Sequence, residues 1–265
     1  MNEPDYNYYD DDFSLDQAEG YVLLLQIEAA SFAYAVTQGS RLLAWGSGHP
    51  LDELTNPDEL RDLLTAKYKQ VITGVPALSF TLVPEGVYSD AHIGLLARLL
   101  NVQADEKVFV QELDTENRVV YKVSNGTVAA AEKFELNNSV FGLKGWIKAI
   151  ANNNPNDDTL YLELNENKVN FLYYNQSKLR FFNSFEFYNA DELTYYTAFV
   201  AEQLKLQPGS IHLNLSGKIN NDDANFKRLA EFFKHVELNT VQLLQLPVSV
   251  KAQHILSLSA LTLCG

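Results

Sequence analysis

Two apolar runs, Tyr21-Val22-Leu23-Leu24-Leu25-Gln26-Ile27 and Thr159-Leu160-Tyr161-Leu162-Glu163-Leu164, open two stretches of chain in which the same kinds of segment recur in the same order. A short run with little polar alternation suits a strand buried on both faces. Each run leads into two further strand-like segments across small turns. In the first half these are Ser31–Thr37 and Arg41–Trp45, joined by Gln38-Gly39-Ser40. In the second they are Lys168–Tyr174 and Leu179–Phe187, with Asn165-Glu166-Asn167 and Asn175-Gln176-Ser177 as turns. Leu23 and Leu160 lie about 137 residues apart. The repeated order is meander, helix, strand, helix, strand, helix, which implies a mixed sheet with flanking helices in each half. Residue identity between the halves is slight, so the repeat is one of element order.

Helices are expected over Asn56–Tyr68, with Asn56 as cap and Pro57 in the first turn, and from Ser89 through Leu100. Further helices are expected over Val140–Ala151, from Asn189 or Asp191 to Leu204, over Asp222–Lys234 with Asp222 as cap, and over Val250–Leu263. The remaining strands are placed at Val71–Val75, Ser79–Val83, Lys107–Glu112, Asn117–Val123, Val128–Phe134, Ser210–Leu215 and Val241–Leu246. Asn125-Gly126 reads as a turn, and Pro208-Gly209 ends the passage after the long helix.

The polar stretch 152–158, Asn-Asn-Asn-Pro-Asn-Asp-Asp, is the best boundary in the chain. It divides a first lobe, 20–151, from a second, 159–265. Residues 1–19 form an acidic N-terminal segment. Of the formal net charge of −14, seven acids and no Lys or Arg fall in residues 1–20. That opening lacks the cations that bind a phosphate backbone, so nucleic acid is not an expected partner. Its Tyr6, Tyr8, Tyr9 and Phe13 leave two readings open: a loosely ordered tail, or a segment docked on a lobe or a partner. The opening has no basic stretch followed by an apolar one, so no signal peptide is expected, and no apolar run approaches the ~20 residues of a membrane span, so a cytoplasmic location is expected.

The strings SFAYAV at Ser31–Val36, the block Val75–Val83 and HLNLSGKI at His212–Ile219 resemble a family found in Bacteroidetes bacteria, the family of unknown function numbered 3822. The duplicated pattern resembles the two-lobed actin-like ATPase superfamily, with its sugar kinases and seventy-kilodalton heat-shock chaperones. The resemblance implies an α/β, duplicated two-lobed actin-like ATPase fold. It also implies where nucleotide chemistry would sit: a small glycine-bearing turn in each lobe's first hairpin for phosphates, an acid at the end of the first strand for the metal, and a late glycine against adenosine.

The first hairpin carries Gln26 and Glu28 near the acid position, and Ala29-Ala30-Ser31 in place of a glycine turn. The second offers Glu163 and Glu166, with Asn165, Asn167 and Lys168 in a turn without glycine. Non-glycine residues obstruct close phosphate approach, and Asn165 and Asn167 are expected to serve the hairpin through their tolerance of left-handed geometry. Gly217, followed by Lys218, is read as a structural turn.

No other catalytic motif is present. His49, His92, His212, His235 and His254 lack metal-ligand spacing, and His49 is expected on a surface loop. Asp10-Asp11-Asp12 is expected to be solvated. Cys264 is the single cysteine and a poor nucleophile candidate. Ten aromatic residues from Tyr173 to Phe199 are divided between the core and a surface for a protein partner or self-association. The chain is therefore expected to be a non-catalytic binding, scaffold or adaptor protein without catalytic, cofactor-binding or metal residues. A divergent Mg-dependent ATPase or kinase using Glu28 or Glu163, and a small-metabolite-binding module, are the alternatives.

Overall fold

Residues 6–134, 139–207 and 209–265 are described by a computed structural model, in which the chain forms two compact units. One comprises residues 1–148 together with Ser257–Gly265, and the other Ala149–Leu256.

The first unit is built on a sheet of order β1-β4-β3-β2-β5-β9: β1 (Tyr6–Tyr9), β2 (Val22–Ile27), β3 (Ser31–Gln38), β4 (Arg41–Pro50), β5 (Gln70–Val75) and β9 (Ser139–Phe141). β2, β3 and β4 form the antiparallel meander, while β5 pairs parallel with β2 and β9 with β5. Leu23, Leu24 and Leu25 have no solvent exposure, as a run without alternation requires of an interior strand. Between β5 and β9 the chain inserts a small antiparallel sheet, β6 (Ser79–Pro84), β7 (Glu106–Glu112) and β8 (Asn117–Ser124), in the order β6-β8-β7.

The second unit repeats the plan with β10 (Thr159–Asn165), β11 (Lys168–Asn175), β12 (Lys178–Glu186), β13 (His212–Gly217) and β14 (His235–Leu238), in the order β12-β11-β10-β13-β14. Here too the first strand of the meander takes a parallel neighbour on its other side. Helices α6 (Ala190–Gln203) and α7 (Ala224–Phe232) cover one face through Leu193, Val200, Ala201 and Leu229. Asn189 caps α6 by accepting the Glu192 N–H at 2.9 Å.

Several expected elements differ. The helix expected over Asn56–Tyr68 is replaced by a loop and the short α2 (Arg61–Thr65), and a separate α1 (Asp52–Thr55) precedes them. The Glu53 carboxylate accepts the backbone N–H groups of Asp58 and Leu60 and so closes the loop. After the short helix α3 (Ile93–Leu99), Val128–Phe134 is not a strand: α4 (Asn125–Glu132) runs through it. Ser124 accepts the Thr127 N–H as its cap, and the alanines at 129–131 favour helix over strand. The span 140–151 divides into β9 and α5 (Lys144–Asn152). The last strand is β14, not Val241–Leu246, because Asn239 ends the ladder by accepting the Val241 N–H on its side chain. The residue preceding α7 is Asp223 rather than Asp222, and its carboxylate accepts the Asn220 N–H. Pro208 lies outside the described residues.

The described part of the acidic opening packs on the first sheet. β1 lies antiparallel on β4, Tyr6 stacks on Trp45 with centroids 5.1 Å apart, and the Tyr9 and Tyr34 hydroxyls share a 2.6 Å hydrogen bond. Arg41 donates to Asp10 and Asp12 at 2.6 and 2.8 Å; Asp11 and Asp12 are exposed, as expected of solvated acids, whereas the Asp10 side chain is drawn in by the pairing. Residues 152–158 fall inside the second unit. Asp157 pins them to β11, its carboxylate accepting the Gln176 N–H and its carbonyl the Tyr173 hydroxyl. Finally, α8 (Ala252–Ser259) leads into a 3-10 turn, Ala260–Leu263, which belongs to the first unit. Among the described residues no helix is long and apolar enough to cross a membrane.

Candidate functional site

β10 is buried over Thr159–Leu164, and Glu163 stands in it at 2% exposure between the core residues Leu162 and Leu164. Its register neighbours are Asn170 on β11 and Ser216 on β13; Asn170 is in turn paired with Ser184 on β12. Because paired residues share a sheet face, the four form a polar row across the sheet. Asn170 Nδ2 donates to Glu163 Oε2 at 2.6 Å, and Asn165 Nδ2 to Oε1 at 3.2 Å. The Ser184 hydroxyl donates to Asn170 Oδ1, and that of Ser216 to the Leu162 carbonyl. Burial lowers the Lys168 pKa, while the charges of Glu163 and Glu186 oppose that shift.

The β10–β11 turn consists of Glu166 and Asn167. Glu166 adopts the positive φ, +26°, that was expected of Asn165 or Asn167. Its carboxylate pairs with Lys218 at 3.4 Å. Lys218 follows Gly217, whose φ is +90° and whose absent Cβ would sit 2.0 Å from the Leu164 carbonyl oxygen. The same oxygen accepts the Lys218 N–H at 2.7 Å. Gly217, at the end of β13, is thus required by this backbone crossing.

In the first unit, the β2–β3 turn closes with the Glu28 N–H donating to the Ser31 carbonyl at 2.9 Å and the Ser31 hydroxyl to Glu28 Oε2 at 3.1 Å. None of residues 28–31 has positive φ. The Gln26 amide lies against Gly74 and Gly142, where a Cβ would come within 2.6 and 2.7 Å of its Oε1 and Nε2. Oε1 is buried without a hydrogen-bond partner.

Residues 10–236 match the family described as Protein of unknown function (DUF3822). The chain belongs to this family. A Bacteroides thetaiotaomicron protein described as having an actin-like ATPase fold and unknown function superposes on this DUF3822 chain with a TM-score of 0.77 at 15% identity, covering 96% of this chain and 99% of that one. Ethanolamine utilization protein EutJ from Carboxydothermus hydrogenoformans superposes with a TM-score of 0.51 at 11% identity, covering 92% and 90%. No curated protein matches the sequence significantly. The DUF3822 chain has the actin-like ATPase fold, with two mixed sheets of matching strand order flanked by helices.

That fold implies a Mg–nucleotide, and these residues do not fit one. A phosphate cradle needs backbone N–H groups open to the ligand, whereas side chains line both turns and the second presents the Glu166 carboxylate. Glu163, the best-placed acid, has both oxygens engaged by amides. At the corresponding point in the first hairpin stands Gln26, a neutral amide. Among the described residues no group of three or more His, Cys, Asp or Glu is gathered to hold a metal ion.

The other singled-out residues lie apart. His49 is not on a surface loop: it ends β4 with its ring against Phe32 and Tyr34, centroids 5.5 and 5.3 Å away, and its Nε2 is buried without a partner. His212 stacks on its register partner His235 at 4.5 Å. His92 is exposed, and Cys264 is half-buried with its thiol pKa raised by burial. The sequence did not single out Asn170, Ser184 or Ser216. Asn170 had a signal, the one polar residue of an apolar strand (Val169-Asn170-Phe171-Leu172), but its partner in β10 depends on register.

Proposed function

We propose that this protein acts by binding, as a non-catalytic scaffold or adaptor on a degenerate actin-like fold. The observation that supports this reading is the state of Glu163, 2% exposed and hydrogen-bonded by Asn170 and Asn165. A carboxylate so engaged would have to break those bonds and regain access before it could hold a metal or its water, and a buried amide donor left without its acceptor costs about 1–3 kcal/mol. Partner binding fits the aromatics left in solvent on one side of α6 and just before it: Tyr188, Tyr195 and Phe199 are 79%, 64% and 41% exposed.

Calorimetric titration of the full chain with Mg-ATP tests the reading. The expected result is no saturable binding at millimolar nucleotide. Tight Mg-dependent binding that Glu163→Gln or Glu28→Gln weakens would establish the ATPase or kinase alternative instead.

A further inference from the structure

The first unit holds a partly open cavity of about 210 Å³ where the small sheet meets the end of the large one. Phe109 and Gln111 of β7, Tyr121 and Val123 of β8, Val128 of α4, Val75 of β5 and Ser139 of β9 line it. Its walls mix polar and apolar surface, and the Phe109 and Tyr121 rings stack with centroids 5.7 Å apart. Gln111 is a strut rather than a free polar group: its Nε2 donates to the Ser139 carbonyl at 3.0 Å, and its Oε1 accepts the Phe141 N–H at 2.9 Å.

One end of the cavity is polar and unsatisfied. Among the described residues Ser139 Oγ, in the cavity wall, is buried without a hydrogen-bond partner, and so is Oγ1 of Thr73 next to it, which has no solvent exposure. Thr73 and Ser139 are register partners on β5 and β9, so their side chains stand on one face of the sheet, the face that Val75 shares two residues on. Buried hydroxyls nearly always have partners, and an orphan at the wall of a cavity with a second directly beside it points to something that enters. Water at the hydroxyl end would leave the aromatic remainder of the space without polar partners. A dry apolar cavity of about 150 Å³ is enough for a benzene ring.

We propose that this cavity is a binding site for a small planar aromatic molecule carrying a single N–H or O–H group, of the size of indole or a substituted phenol. The ring lies along the Phe109–Tyr121 wall beneath Val128, and its polar hydrogen goes to Ser139 Oγ, with Thr73 completing the chain of hydroxyls. The site uses neither hairpin, so it stands or falls independently of the nucleotide question.

Titration of the full chain with indole and with toluene, followed by ligand-observed NMR and by calorimetry, decides it. Indole is expected to bind one-to-one with Kd on the order of 0.1 mM, a reasonable value for about nine non-hydrogen atoms. Val128→Phe, which fills the space, should weaken both probes at least tenfold. Ser139→Ala, a smaller change that keeps the proposal testable should the first variant not fold, should weaken indole several-fold and leave toluene unchanged. Absence of saturation by indole, equal effects of Ser139→Ala on both probes, or a crystal grown with indole that shows only water in the cavity would each overturn the proposal.

Discussion

His49 and His254 are half-buried imidazoles. Desolvation lowers both pKa values from 6.5: for His49 the charges of Glu53 and Glu59 oppose it, and for His254 the bond to the Ile219 carbonyl opposes it while Lys251 adds to it and Asp223 opposes it. A group whose protonation is disfavoured in the native state binds its proton first in the unfolded chain. Stability therefore falls as pH drops through about 6.5 and stops falling once the folded-state pKa is passed. The carboxylates held low, such as Glu106 by the Gln103 N–H and Lys122, lose their contribution only below about 4.5, so the two effects separate in pH. The melting temperature should drop by a few degrees between pH 7.5 and 5.5, and a His49→Gln, His254→Gln double variant should be nearly flat over that range. A wild-type melting temperature that stays level to pH 5.5 would show that both rings protonate without cost.

Gly217 ends β13 at φ +90°, a conformation that side chains resist, and any Cβ there meets the Leu164 carbonyl. Gly217→Ala must push β13 from β10 or break the bond from the Lys218 N–H, at a cost of about 2 kcal/mol or more. Urea unfolding followed by circular dichroism measures it, and a midpoint within error of wild type would contradict this account of the crossing. β2, β10 and α6 were legible because their signals are local: apolar runs of strand length, and an Asn189 cap ahead of an amphipathic stripe. The failures occur where a distant or competing partner decides. Pro57 looked like a helix start, but Glu53 ties the following N–H groups into a loop. The string Val-Ala-Ala-Ala at 128–131 has no decisive period, and the Ser124 cap settled it as helix. In the candidate site, Glu163 and the missing glycines could be read directly. The polar row to Asn170, Ser184 and Ser216 could not, since it exists only once three strand pairings set the register.

At the scale of the whole chain, the repeat resolves into two sheets with the same strand order, β4-β3-β2-β5-β9 and β12-β11-β10-β13-β14. The first adds β1 at its edge and inserts the small sheet between β5 and β9. The sequence division at 159 assigns everything to the C-terminus to the second lobe, whereas Ser257–Gly265 belong to the first unit. The reason is packing against α5. Gly145 lacks a side chain where the Ala260 carbonyl would meet a Cβ at 2.4 Å, Lys148 donates to the Leu263 carbonyl at 3.1 Å, and Leu258, Ala260 and Leu261 are buried. Burying two leucines contributes about 3–6 kcal/mol, a large share of an ordinary domain's stability. A chain ending at Leu256 should therefore lose order in its first unit while the second, with its own core of Leu160, Leu213 and Leu215, retains its fold. The sequence contains two tryptophans, Trp45 and Trp146, both buried and both in the first unit, so tryptophan emission reports on that unit alone. Its maximum should shift to the red in the truncated chain while much of the helical circular dichroism persists. An unshifted maximum would mean that the first unit is stable without the nine residues.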